Sequence, residues 1–220
     1  MPVQSDDKPR DVIVGSHRLR GLLGVPPDAT GLVIFAHGSG SGRLSPRNNQ
    51  VAAALRQNGM ATLLVDLLTQ QEEANRANVF DITLLAQRLA SCADWVRQQR
   101  ELRNLAIGYF GASTGAAAAL VAAARDRLVK AVVSRGGRPD LARNALPLVR
   151  APTLLLVGSL DGPVIDMNQQ SFAMLTCPKK ILIVPGAGHL FEEPGTLEQV
   201  INHAASWFAT CFAPQPQKED

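Results

Sequence analysis

Short, almost wholly apolar runs recur along this chain, separated by segments in which apolar residues return every three or four positions. The runs cover residues 32–36, 61–67, 105–110, 131–134, 153–157 and 180–184. Each is apolar at successive positions, so both of its faces are covered, as in the strands of a parallel sheet. The intervening segments read as helices. Residues 81–100 place Ile82, Leu85, Leu89, Ala93 and Val96 on one face. Ser45 and Pro46 make an N-cap and first-turn pair for a helix ending near Asn58-Gly59. Thr114–Arg125 is built almost entirely of small residues and can lie close to a sheet. A short helix is predicted over residues 164–175. Thr196-Leu197-Glu198-Gln199 reads as a capping box opening a last helix, with Leu197, Val200, Ala204, Trp207 and Cys211 on its apolar face. Ahead of all this, residues 12–14 and 19–25, split by Gly15-Ser16-His17, predict an antiparallel hairpin. The alternation predicts an α/β fold: a mostly parallel central sheet of six such strands with helices on both faces, an antiparallel N-terminal hairpin and no large cap domain. It forms one domain over residues 11–212, with flexible ends at 1–10 and 213–220.

Composition narrows the function classes. With 220 residues, 46% hydrophobic and 19% charged, the chain can bury a core and is not of disordered type. The net charge of +3 is small and its basic residues are scattered, so no nucleic-acid partner is expected. No apolar run is long enough to span a membrane, and the polar first ten residues lack the apolar stretch of a secretory signal. A cytoplasmic location follows as an expectation, with no membrane partner. Cys92, Cys177 and Cys211 are far apart and odd in number, which reads as small hydrophobes in a reducing compartment. No H-E-x-x-H or Cys/His cluster suggests a metal, and no cofactor is expected.

The strongest chemical signal is Gly111-Ala112-Ser113-Thr114-Gly115, set between a strand and the small-residue helix. A serine on so sharp a turn is lifted above the sheet, at a helix N-terminus that favours developing negative charge. Its hydroxyl needs a base, and the base needs an acceptor to fix its tautomer. Asp161 and His189 each follow a buried-strand run directly and supply these in the order Ser, Asp, His. Asp161-Gly162-Pro163 is also ordinary turn chemistry, and Asp166 is the competing acid, inside the following helix. His17 and His203 read as surface residues. The loop His37-Gly38-Ser39-Gly40-Ser41-Gly42 follows the 32–36 run; there His37 holds the loop and Asp66 braces it. Backbone amides of Ser39, with Gly40 second, and of Thr114 would form the oxyanion hole. The same strand–loop–helix unit invites a dinucleotide-binding reading, but Arg43 stands where the third glycine of G-x-G-x-x-G is required.

From His37-Gly38 through Gly111-Ala112-Ser113-Thr114-Gly115, Asp161 and Gly188-His189, essentially the whole chain resembles the α/β-hydrolase superfamily. The loops Asp66-Leu67-Leu68-Thr69 and Ser134-Arg135-Gly136-Gly137-Arg138-Pro139-Asp140, and the compact length, make it similar to the dienelactone hydrolase-like branch. Dienelactone hydrolases use a cysteine nucleophile where this chain has Ser113. The resemblance therefore implies a serine carboxylesterase acting on small or short-chain acyl esters through an acyl-enzyme on Ser113.

Gly40, Arg43, Arg135 and Arg138 are the candidate substrate-binding residues, and with Arg47 the arginines could clamp a substrate carboxylate. The plainer reading of each arginine is a solvated or locally ion-paired side chain. Residues 69–80 read as a polar loop, either a small lid or an inert surface segment. The expected partner is a small-molecule ester, and the protein is expected to be a monomer or homodimer. Three alternatives use the same features: an acyltransferase or perhydrolase, a peptidase, and a non-catalytic binding protein on the same fold.

Overall fold

The structure, a computed structural model, describes residues 8–213. Its sheet has eight strands in the order β1-β2-β4-β3-β5-β6-β7-β8. The strands are β1 (Arg10–Val14), β2 (Leu19–Gly24), β3 (Gly31–Ala36), β4 (Ala61–Val65), β5 (Ala106–Ala112), β6 (Val129–Arg135), β7 (Thr153–Gly158) and β8 (Lys179–Val184). β1 and β2 form the expected antiparallel hairpin, β2 runs antiparallel to β4, and β3 to β8 are mutually parallel.

Side-chain alternation splits the core into two layers. From β3, Leu32, Ile34 and Ala36 enter a cluster with Leu85, Leu89 and Val96 of α4 (Ile82–Gln98) and Ala117 to Leu120 of α5 (Thr114–Arg125). Val33 and Phe35 enter the opposite cluster, with Val51 and Leu55 of α1 (Pro46–Gln57) and Val200 and Phe208 of α7 (Thr196–Phe212). Phe172 of α6 (Gly162–Met174) packs on the first layer. The period-two alternation along strands and the 3.6-residue stripe along helices thus meet on each side of the sheet.

Three local expectations need correction. The segment over residues 69–80 is not a loop. It forms two one-turn helices, α2 (Gln70–Glu73) and α3 (Arg76–Val79). Thr69 and Glu72 make a reciprocal capping box there, and Glu72 also pairs with Arg88 of α4 at 2.5 Å. Polar composition hid these turns because their caps, not buried residues, hold them. The proposed capping box at Thr196 is absent: Gly195, left-handed at φ 78°, precedes the helix, and Thr196 Oγ1 donates backward to Glu193 O at 2.7 Å. Helix α6 begins at Gly162, so Pro163 sits in its first turn, where the missing N–H costs nothing. Of the two ends expected to be flexible, Arg10 belongs to β1; residues 1–7 and 214–220 lie outside the described residues.

Candidate active site

The C-terminal ends of β3, β5, β6, β7 and β8 bring their loops to one edge of the sheet. Ser113 stands between β5 and α5 with φ 50° and ψ −123°, a conformation that non-glycine residues rarely hold. Its neighbours allow it. A Cβ on Gly115 would lie 2.1 Å from Ala36 O, and one on Gly111 would lie 2.5 Å from Ala116 Cα. The elbow is also pinned from β6: Ser113 N–H donates to Arg135 O at 3.4 Å, and Arg138 N–H donates to Ser113 O at 3.0 Å.

Asp161 and His189 are carried on two loops that are zipped together. Leu160 N–H donates to Ala187 O at 2.9 Å and Gly186 N–H to Ser159 Oγ at 2.8 Å, which sets Asp161 beside His189. His189 Nδ1 and Asp161 Oδ2 are 2.6 Å apart. With Nδ1 bonded to the carboxylate, Nε2 is the nitrogen left to exchange protons. Ser113 and His189 line one cleft of about 520 Å³, together with Gly38, Ser39, Gly40, Arg47 and Arg135. Among the described residues no hydrogen bond joins Ser113 Oγ to His189; such contacts often tighten only around substrate. Asp166 is exposed on α6, and His17 and His203 are exposed.

His37 braces the glycine loop as expected. Its Nδ1 is 3.0 Å from Gly38 O, and Leu67 N–H donates to Nε2 at 3.2 Å, so the proton belongs on Nδ1. Asp66 accepts from Arg43 N–H at 2.7 Å and pairs with the Arg43 guanidinium at 2.5 Å. Thr114 opens α5, where the first amides of a helix have no intrahelical acceptor. The Ser39 amide is not free, however: it donates to Thr114 Oγ1 at 3.1 Å. The two expected oxyanion donors are therefore adjacent, and one is engaged by the side chain of the other.

The candidate substrate arginines separate. Arg43 belongs to Asp66, and Arg138 is bidentate to Asp140 at 2.8 and 2.9 Å. Arg47 pairs with Glu192. These three have local partners, as the plainer reading of each held. Arg135 has none among the described residues. Gly40 lines the cleft at φ 70° with open space around its Cα. None of residues 69–80 lines the cleft that holds Ser113; Glu73 and Val79 line a small hollow together with residues 37–40.

Two residues with roles here escaped the sequence. Glu193 accepts the Gly188 N–H at 3.0 Å, fixing the backbone just before His189, and that bond holds its carboxyl below the ordinary value of 4.5. Gly136, at φ 51°, leaves room for the histidine: a Cβ there would lie 2.9 Å from His189 O. No spacing rule flags a glutamate four residues beyond a histidine. The Gly136-Gly137 pair was visible but pointed to no partner. Among the described residues no group of three His, Cys, Asp or Glu could hold a metal ion, and no helix is long and apolar enough to cross a membrane.

Comparison with known proteins matches residues 19–211 to the dienelactone hydrolase family. A dienelactone hydrolase from Anabaena variabilis is 52% identical, with a TM-score of 0.89 over 93% of this chain and 99% of that one. Est1E from Butyrivibrio proteoclasticus shares the fold at 15% identity, with a TM-score of 0.80 over 94% of this chain and all of its own. A Mycobacterium tuberculosis protein, provisionally named a phosphoribosyl transferase, is 56% identical over 203 residues. That match takes in 92% of this chain and 46% of the relative, so the chain spans about half the length of the curated relatives it matches. On sequence and architecture together, the chain belongs to the dienelactone hydrolase family of α/β-hydrolase-fold proteins.

Proposed function

We propose that the protein is a serine hydrolase that cleaves small or short-chain carboxylic esters through an acyl-enzyme on Ser113. The observation that carries the reading is the strained Ser113, at φ 50°, facing one cleft with a histidine whose Nδ1 is 2.6 Å from Asp161. Backbone strain of this kind persists only where the surrounding fold imposes it, and it concentrates at functional positions.

In the first half-reaction Ser113 Oγ attacks the ester carbonyl carbon while His189 Nε2 takes the hydroxyl proton. Asp161 keeps the ring oriented and balances its charge. The tetrahedral oxyanion accepts the amides of Thr114 and Ser39, the latter exchanging Thr114 Oγ1 for the stronger, charged acceptor. His189 then protonates the leaving alkoxide as the carbon–oxygen bond breaks. In the second half-reaction water loses its proton to His189, attacks the acyl carbon and releases the acid, and Ser113 regains its proton.

The phosphoribosyl transferase name belongs to a relative of which this chain spans about half. The elbow and the Asp–His pair are what this half carries. Labelling with a fluorophosphonate probe tests the reading: one adduct is expected, on Ser113, abolished in Ser113→Ala. Absence of labelling in folded protein would favour a binding role for the fold.

A further inference from the structure

The stripe that helix α6 turns inward is short and mostly polar: its buried residues are Val164, Asn168 and Ser171. Ser171 Oγ donates within the helix, to Met167 O at 2.8 Å. Asn168 reaches outside it. Its side chain is 0% exposed, and Nδ2 donates to Gly137 O at 3.0 Å as well as to Val164 O at 2.8 Å. Turning the amide over would set Oδ1 against two carbonyl oxygens, so the surroundings allow only this orientation. Oδ1 is itself buried with no partner among the described residues. A leucine would fill the same place without leaving a buried acceptor unsatisfied, which is costly. For packing alone an amide is therefore the wrong residue, and what it adds is the bond to Gly137.

Gly137 belongs to the turn over residues 135–138 that follows β6, and this turn touches both Ser113 and His189. Arg135 O accepts the Ser113 N–H at 3.4 Å, and Arg138 N–H donates to Ser113 O at 3.0 Å. Gly136 lies against the histidine: a Cβ there would be 2.9 Å from His189 O and 3.7 Å from its Nδ1. Gly137 is wedged as well, since a Cβ would meet Ser134 Oγ at 2.0 Å and Ala116 Cβ of α5 at 2.5 Å. Asp161 enters from the other end of the same link. It stands at the N-cap of α6 without capping the helix through its side chain, which leaves its carboxylate for His189. Helix α6 thus starts at Asp161, and about two turns later it holds the turn that lies between Ser113 and His189.

We propose that Asn168 is a positioning residue for the reaction at Ser113: its bond to Gly137 O seats the 135–138 turn between Ser113 and His189 and so keeps both in reacting register with Asp161. This rests on the serine-hydrolase reading of the site and adds to it a residue that touches neither substrate nor reacting atoms.

The test replaces Asn168 by Leu, which fills the space and removes the donor, and by Ala in case the leucine does not fit. Circular dichroism and the denaturant midpoint report folding. On p-nitrophenyl acetate the folded variant is expected to lose about tenfold or more in kcat, with KM within about twofold of wild type, as for reacting groups that are misplaced but still bind substrate. In an Asp161→Asn background the same substitution should cost less than about threefold, because residues that act as a unit are not additive. A residue that only supports the fold would cost the same factor in both backgrounds. That result, or a folded Asn168→Leu or Asn168→Ala with kcat within about threefold of wild type, overturns the proposal while sparing the hydrolase. If wild type shows no turnover, the hydrolase reading loses its support and the low-field proton resonance of His189 Nδ1 bonded to Asp161 decides. Its displacement or loss in the folded variant supports the positioning role, and an unchanged resonance overturns it.

Discussion

At the scale of single residues, the account turns on which carboxylate serves His189. Asp161 is bonded to Nδ1, whereas Asp166 is exposed one turn into α6. Asp161→Asn is expected to cut kcat on a short ester by about 10⁴-fold with the fold intact, because the amide favours the wrong tautomer. Asp166→Asn should stay near wild type; the reverse result would move the acid. A second expectation concerns the elbow. A methyl group at Gly115 would meet Ala36 O at 2.1 Å, and backbone cannot yield as a side-chain tip can. Gly115→Ala should lower stability by about 2 kcal/mol or more in denaturant unfolding, at the upper end of overpacking costs. The sharp turn at Ser113 and the Asp161–His189 contact were legible because such a turn constrains its own sequence and the two other residues directly follow strand ends. Glu193 and Gly136 were not, since each acts on His189 by a contact that no local pattern encodes. The engagement of the Ser39 amide by Thr114 Oγ1 joins two segments 75 residues apart and was equally invisible.

At the scale of elements, strands were easier to read than their surroundings. Strands inside a parallel sheet are mostly apolar and buried, so β3 to β7 announced themselves; β8, at the sheet edge, is only partly buried, with Lys180 and Ile183 exposed, and was read from its apolar run alone. Strand ends moved: β6, for example, reaches Arg135 rather than stopping at Ser134. The failures were elements held by polar contacts. Helices α2 and α3 bury no residue and depend on the Thr69–Glu72 box and on Arg88. Thr69→Ala should therefore cost about 1 kcal/mol locally. Hydrogen exchange should speed up in residues 70–79 and stay unchanged in β5; uniform acceleration would mean that these turns support the whole core. Protonation acts on the same element. The Thr69 amide holds Glu72 below the ordinary 4.5, as the Gly188 amide does Glu193. A depressed folded pKa contributes stability that is complete above the unfolded value and is lost as pH falls through the folded one. Melting temperature should thus decline as pH drops below about 4.5, and Glu72→Gln should flatten part of that decline. A decline of the same slope in Glu72→Gln would assign it to other carboxylates.

At the scale of the whole molecule, the sheet places five loop ends on one edge, and each supplies one part. The β3 loop carries the Ser39 amide, β5 leads into Ser113, β6 ends at the unpaired Arg135, β7 leads to Asp161 and β8 to His189. Family membership covers residues 19–211, nearly all of this assembly. The central claim is that these parts act together as a serine esterase. It is tested most directly by hydrolysis of a chain-length series of p-nitrophenyl esters, with wild type beside Ser113→Ala. The account predicts turnover that is fastest for short acyl chains and lost in Ser113→Ala. Turnover that survives Ser113→Ala, or its absence from a wild-type protein that also resists fluorophosphonate, would contradict it.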